Sequence, residues 1–139
     1  RKEDIIIYAK KLQALGAQHV LVSMAGDGAI LVTKDGKVYE TMPPKGKVVN
    51  SVGAGDSMVA GFITGYLNTK DMEKAFRLGV AAGSASAFCS WLATKDEIVA
   101  LLGEPAEVYH ILQTYSKSKV FASMARQTPK SRSSVKWSI

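Results

Sequence analysis

Val52-Gly53-Ala54-Gly55-Asp56-Ser57-Met58-Val59-Ala60-Gly61 places three side-chain-poor positions and one carboxylate where a loop turns into an apolar helix. Downstream, Met58, Val59, Phe62, Ile63, Tyr66 and Leu67 recur at helical spacing, while Lys47 to Asn50 upstream reads as a short strand or extended segment. The glycines therefore stand at a helix N-terminus. First-turn amides have no partner inside their own helix, and the helix dipole adds partial positive charge there, so an anion is favoured. Small residues let a phosphate reach those donors. Asp56 has two readings. Asp is common in a first helical turn for electrostatic reasons alone. Beside phosphate-binding amides, however, an acid is unfavourable unless its basicity is used, and accepting a hydroxyl proton during phosphoryl transfer is such a use.

A second segment runs from His19 to Met24, apolar and β-rich, through Ala25-Gly26-Asp27-Gly28 into a second strand, Ala29 to Thr33, and a Lys34-Asp35-Gly36-Lys37 turn. By itself Gly26-Asp27-Gly28 is a hairpin turn, because Asp-Gly suits a tight connection.

Asn50 to Gly61 resembles the second signature of the ribokinase-like, pfkB-type carbohydrate kinases. With Pro43-Pro44 ahead of it, the stretch is most similar to their phosphofructokinase and tagatose-6-phosphate kinase branch, nearest the 1-phosphofructokinases. The resemblance covers about residues 4–103 and implies the C-terminal half of a ribokinase-like layered α/β fold. It makes Asp56 the catalytic base and Gly53, Ala54 and Gly55 an anion hole for the moving phosphoryl group. Ser23, Met24, Ala25, Gly26, Asp27 and Gly28 correspond to the family's ATP-binding loop, Ser-x-Gly-x-x-Gly, with Ala25 where the family usually has its first Gly. The implied cofactors are ATP and Mg2+, the ion bridging the ATP phosphates. The implied reaction is phosphorylation of the C6 hydroxyl of fructose 1-phosphate to fructose 1,6-bisphosphate. Two alternatives stay open: tagatose 6-phosphate as acceptor, and a non-catalytic nucleotide-binding remnant. The family's upstream Asn-x-x-Glu motif, linked to magnesium, does not occur in this chain. Its sugar contacts and lid belong to the N-terminal half, so independent activity of this chain is not expected. Partners implied for the complete enzyme are ATP, a sugar phosphate and a second copy in a homodimer.

Other phosphate and metal chemistries find no support. There is no Gly-x4-Gly-Lys-Ser/Thr run and no strand leading into Gly-x-Gly-x-x-Gly. The one cysteine, Cys89, reads as a small buried hydrophobe in an apolar helix; His19 reads as a strand-edge residue and His110 as a helix-surface residue. At 139 residues and 47% hydrophobic content, one ordinary core is expected. No run reaches a membrane span, and Arg1-Lys2-Glu3-Asp4 is no signal peptide, so a cytoplasmic protein without membrane partners is expected.

The net charge of +6 is local. Residues 1–116 balance, and the whole excess lies in Lys117, Lys119, Arg126, Lys130, Arg132 and Lys136. That tail, 117–139, is rich in Ser and lacks periodicity, so disorder is expected, and without an aromatic platform no specific nucleic-acid partner is expected.

Helices are expected over Asp4 to Leu15, from near Gly53 to Leu67-Asn68, from an Asp71 cap to about Phe88, and from a Thr94-Lys95-Asp96-Glu97 capping box through Leu102. A terminal helix is expected within 104–116. Strands are expected at 19–24, 28–33 and 37–41.

Overall fold

The computed structural model describes residues 1–103, and the chain divides between Lys45 and Gly46 into two compact units. The expected terminal helix, His110 and the basic tail lie outside the described residues. The whole is α/β.

The first unit opens with α1, Lys2–Ala14. It starts two residues before the apolar spacing because the Arg1 carbonyl accepts the Asp4 and Ile5 amides at 3.1 and 3.3 Å. Glu3 and Asp4 then sit at the positive end of the helix dipole. Strands β1 (Val20–Ser23), β2 (Ala29–Val32) and β3 (Val38–Thr41) form an antiparallel sheet in that order, with Val20 opposite Val32 and Ala29 opposite Thr41. Central β2 is buried along its whole length. Its β-branched and aliphatic run fits a strand flanked on both sides. α1 packs on the sheet through Ala9, Ile5 and Ile6 against Val20, Ile30 and Val32. The Gln13 amide donates to the Gln18 and Thr33 carbonyls, both at 3.0 Å, tying the helix end to the sheet. In the β2–β3 turn the Thr33 hydroxyl bonds the Asp35 carboxylate and holds it below the ordinary carboxylate range.

The second unit is an antiparallel helical hairpin with a short third helix. α2 is Ala54–Thr69, α3 Met72–Phe88 and α4 Lys95–Leu102. Asp71 caps α3 as expected: its carboxylate accepts the Glu73 and Lys74 amides at 2.9 and 3.1 Å. Such a cap is worth about 1 kcal/mol. Thr94 and Glu97 form the expected capping box of α4. The small residues of α3 let α2 approach at backbone distance: a Cβ on Gly83 would stand 2.9 Å from the Ala54 carbonyl oxygen, and one on Gly65 of α2 2.8 Å from Ala75 Cα. α4 closes the unit by setting Ile98 among Ala60, Leu78, Ala81, Ala85 and Ala93.

Cys89 departs from expectation. It is half-buried and lies outside the helix, as the cap that ends α3, with φ −105° and ψ 159°. The last α3 turn closes through the Cys89 amide on the Ser86 carbonyl, after which the chain runs extended. Segment 47–50 pairs with no strand among the described residues. Instead the Val49 and Asn50 amides both donate to the Ala87 carbonyl, at 2.8 and 3.1 Å. No helix among the described residues is long and apolar enough to cross a membrane.

Candidate active site

The start of α2 is built by local chain geometry. Gly53, its N-cap, has φ +81° and ψ −4°, a left-handed conformation that costs a side-chain-bearing residue about 1 kcal/mol. Just before it, the Asn50 side chain works at both ends. Its oxygen accepts the Val52 amide at 3.0 Å and its nitrogen donates to the Ser90 carbonyl at 3.1 Å. The turn then closes through the Ala54 amide on the Ser51 carbonyl at 3.2 Å, so this amide is already engaged. The Gly55 and Asp56 amides stand in the first turn, where no carbonyl of the helix can accept them.

Gly55 has no packing reason to be glycine. A Cβ there would meet nothing within 4 Å, and the position is helical. Asp56 follows, exposed, and among the described residues its carboxylate has no hydrogen-bond or ion-pair partner. Directly behind it Ser57 is buried and accepts a hydrogen bond from the Ser86 hydroxyl at 2.9 Å. An open helix start beside an unpartnered acid can hold an oxyanion and take a proton next to it.

The second candidate loop belongs to the first unit. Ser23 ends β1, Met24 donates to the Gly28 carbonyl at 2.8 Å, and Ala25–Asp27 form one 3-10 turn. The segment is thus a hairpin connection, longer than the two-residue turn that Asp-Gly alone suggests. Ala25 sits at φ +50°, a left-handed value strained for alanine. Glycine would fit that backbone without strain. Ser23, Ala25, Gly26 and Asp27 are exposed, whereas Gly28 is buried with φ +93°.

Among the described residues no three His, Cys, Asp or Glu side chains converge as metal ligands. The small residues Ala81 to Ser86 are legible in the sequence as a close-packing face, and Gly83 is where α2 approaches; the supporting hydrogen bonds of Asn50, Ser57 and Ser86 at the start of α2 are not legible there. Buried serines in otherwise apolar helices are the one signal that could have raised them, and it does not reveal that two such serines meet.

The family model described as pfkB family carbohydrate kinase matches residues 1–98. The chain belongs to the pfkB family. It is 55% identical over 102 residues to a 1-phosphofructokinase of Bacillus subtilis, a match covering 73% of this chain and 33% of that protein. It is 37% identical over 91 residues to a D-tagatose-1-phosphate kinase of Bacillus licheniformis, covering 66% of this chain and 30% of that protein. Among solved structures, phosphofructokinase-2 from Escherichia coli in complex with potassium superposes with a TM-score of 0.69 at 29% identity, over 76% of this chain and 35% of the other. Arabidopsis thaliana ribokinase complexed with ribose and ATP gives 0.61 at 26% identity, over 67% and 31%. The fold is therefore ribokinase-like. The chain spans about a third of the length of the curated relatives it matches.

Proposed function

We propose that this pfkB-family chain carries the base and the phosphate-binding loops of a phosphosugar kinase, which moves the γ-phosphoryl group of ATP to the C6 hydroxyl of fructose 1-phosphate. The observation that carries this reading is Asp56, exposed and unpartnered among the described residues, at the third position of a helix that opens on glycines. Asp56 would take the hydroxyl proton as the oxygen attacks phosphorus. The amides of Gly53 and Gly55, with that of Asp56, would stabilise charge on the moving group, whereas the Ala54 amide, expected to join them, is held by the Ser51 carbonyl. The exposed residues Ser23, Ala25, Gly26 and Asp27, together with Gly28, would meet the nucleotide, while the Met24 side chain packs against the core of the first unit. Magnesium, bound together with ATP, would supply neutralisation of the phosphate charge.

Fructose 1-phosphate is favoured as acceptor by the identity to the Bacillus subtilis relative. The match to a tagatose-1-phosphate kinase supports the second reading, a tagatose phosphate. The test is a coupled assay of ATP consumption on a family-length protein containing this chain, with each sugar phosphate offered separately. Turnover is expected with fructose 1-phosphate and is not expected from the 139-residue chain alone. Failure of the long protein with every acceptor would leave the non-catalytic remnant.

Gly55 offers an independent check. Ala is the better helix former by roughly 0.5–1 kcal/mol and would clash with nothing among the described residues. Gly55→Ala should therefore raise the denaturation midpoint while reducing turnover, because the new methyl group occupies the approach to the helix-start amides. Unchanged turnover in the stabilised variant would remove Gly55 from the anion site.

A further inference from the structure

Ser57 and Ser86 are each 3% exposed, and they meet across the α2–α3 interface. The Ser86 hydroxyl donates to Ser57 Oγ at 2.9 Å and accepts the Ala93 amide at 3.2 Å. One side chain thus joins the first turn of α2, the last turn of α3 and the segment leading into α4. The link between the two hydroxyls is not itself demanded by stability: the same face of α3 presents Ala82, Gly83 and Ala85, and exchanging a buried hydrogen bond for apolar contact of similar shape is nearly neutral, whereas the Ala93 amide does need its acceptor at Ser86. Apolar packing, however, is non-directional. It holds two helices together without fixing how far each turns about its axis.

Rotation is what matters at this end of α2, since Ser57 follows Asp56 directly. A directional bond to Ser57 Oγ sets the angle at which the Asp56 carboxylate and the amides before it are presented. The next α3 residue, Ala87, accepts the Val49 and Asn50 amides, so the same turn of α3 holds the chain on both sides of Gly53-Ala54-Gly55. We infer that Ser86 is a positioning residue for the anion-binding helix start: through Ser57 it fixes the orientation of the Asp56 turn. This rests on the phosphoryl-transfer reading of that turn.

The experiment titrates the isotopically labelled full chain with inorganic pyrophosphate, follows the amide resonances of Gly53, Gly55 and Asp56, and measures stability in parallel. Wild type should show saturable shifts at these amides. Ser57→Ala and Ser86→Ala should each weaken binding about 3- to 10-fold, the range of one net hydrogen bond. The double variant should lose little more than either single one, because both break the same link. Ser86→Thr, which keeps the hydroxyl, should recover most of the affinity. Ile98→Val in α4 is the stability control: it trims the same core away from the helix start and should leave binding unchanged. Saturable wild-type shifts with unaltered affinity in Ser57→Ala would overturn the positioning role alone. Absence of wild-type shifts would overturn the anion site and the positioning role with it. A fall in stability of both serine variants without a change in affinity of the folded protein would make the pair structural only, also overturning it.

Discussion

Asp56→Asn in a family-length protein should lower kcat by about 100- to 10,000-fold, the usual contribution of a general base, with little change in the affinity for ATP. The substitution keeps shape and removes basicity. The fold should tolerate it, because Asp56 is exposed and has no partner among the described residues to be left unpaired. The remaining structural cost is the attraction between a carboxylate and the positive helix end, about 0.3–1 kcal/mol. Binding of ATP has no reason to suffer: a negative charge beside the phosphates is gone. Steady-state kinetics with varied ATP, together with a denaturation curve, separate the outcomes. A proportionate loss of ATP affinity and turnover would mean that Asp56 shapes the site rather than accepting the proton. An unchanged kcat would return it to the ordinary role of an acid in a first helical turn.

Sequence order made some of this legible and hid the rest, for physical reasons visible residue by residue. Caps are local events, so Asp71 and Thr94 could be placed from their neighbours and found bonding to the amides expected of them. The helix spacing of α2 and the apolar strand run around Ile30 are equally local. The start of α1 was less so, because Glu3 and Asp4 carry no apolar period and enter the helix through the Arg1 carbonyl and their own charge. The end of α3 at Phe88 was legible, but Cys89, one position beyond it, was read as helical because an apolar side chain there does not distinguish a last helical residue from a cap. The supports of the candidate site were hidden more deeply. Ser57 and Ser86 are 29 positions apart and come together only when α2 and α3 pack. Asn50 reaches Ser90 across 40 positions for the same reason. The motif therefore announces which residues could do chemistry, while the groups that orient them depend on tertiary packing.

Gly28 shows how one motif glycine can answer to the fold as well as to a ligand. Gly28→Ala should destabilise the first unit by roughly 3 kcal/mol or more, from two separate causes. Its backbone, at φ +93° and ψ −140°, lies in a region that is essentially glycine's alone. A Cβ there would also overlap the Thr41 carbonyl oxygen and come within 3.0 Å of the Thr41 carbonyl carbon. Both obstacles are backbone, and Thr41 pairs with Ala29, the residue after Gly28, so relief requires opening the β2–β3 ladder at that end. A flexible side chain could have swung aside; a paired strand cannot. Gly26→Ala is the matched control in the same loop, since its Cβ would meet nothing within 4 Å and its φ is not positive, and it should shift stability by no more than about 0.5 kcal/mol. Urea denaturation of the two variants, followed by far-ultraviolet circular dichroism, decides between them. Native-like stability for Gly28→Ala would show that the hairpin adjusts freely, leaving close approach of a nucleotide as the reason for glycine at that position.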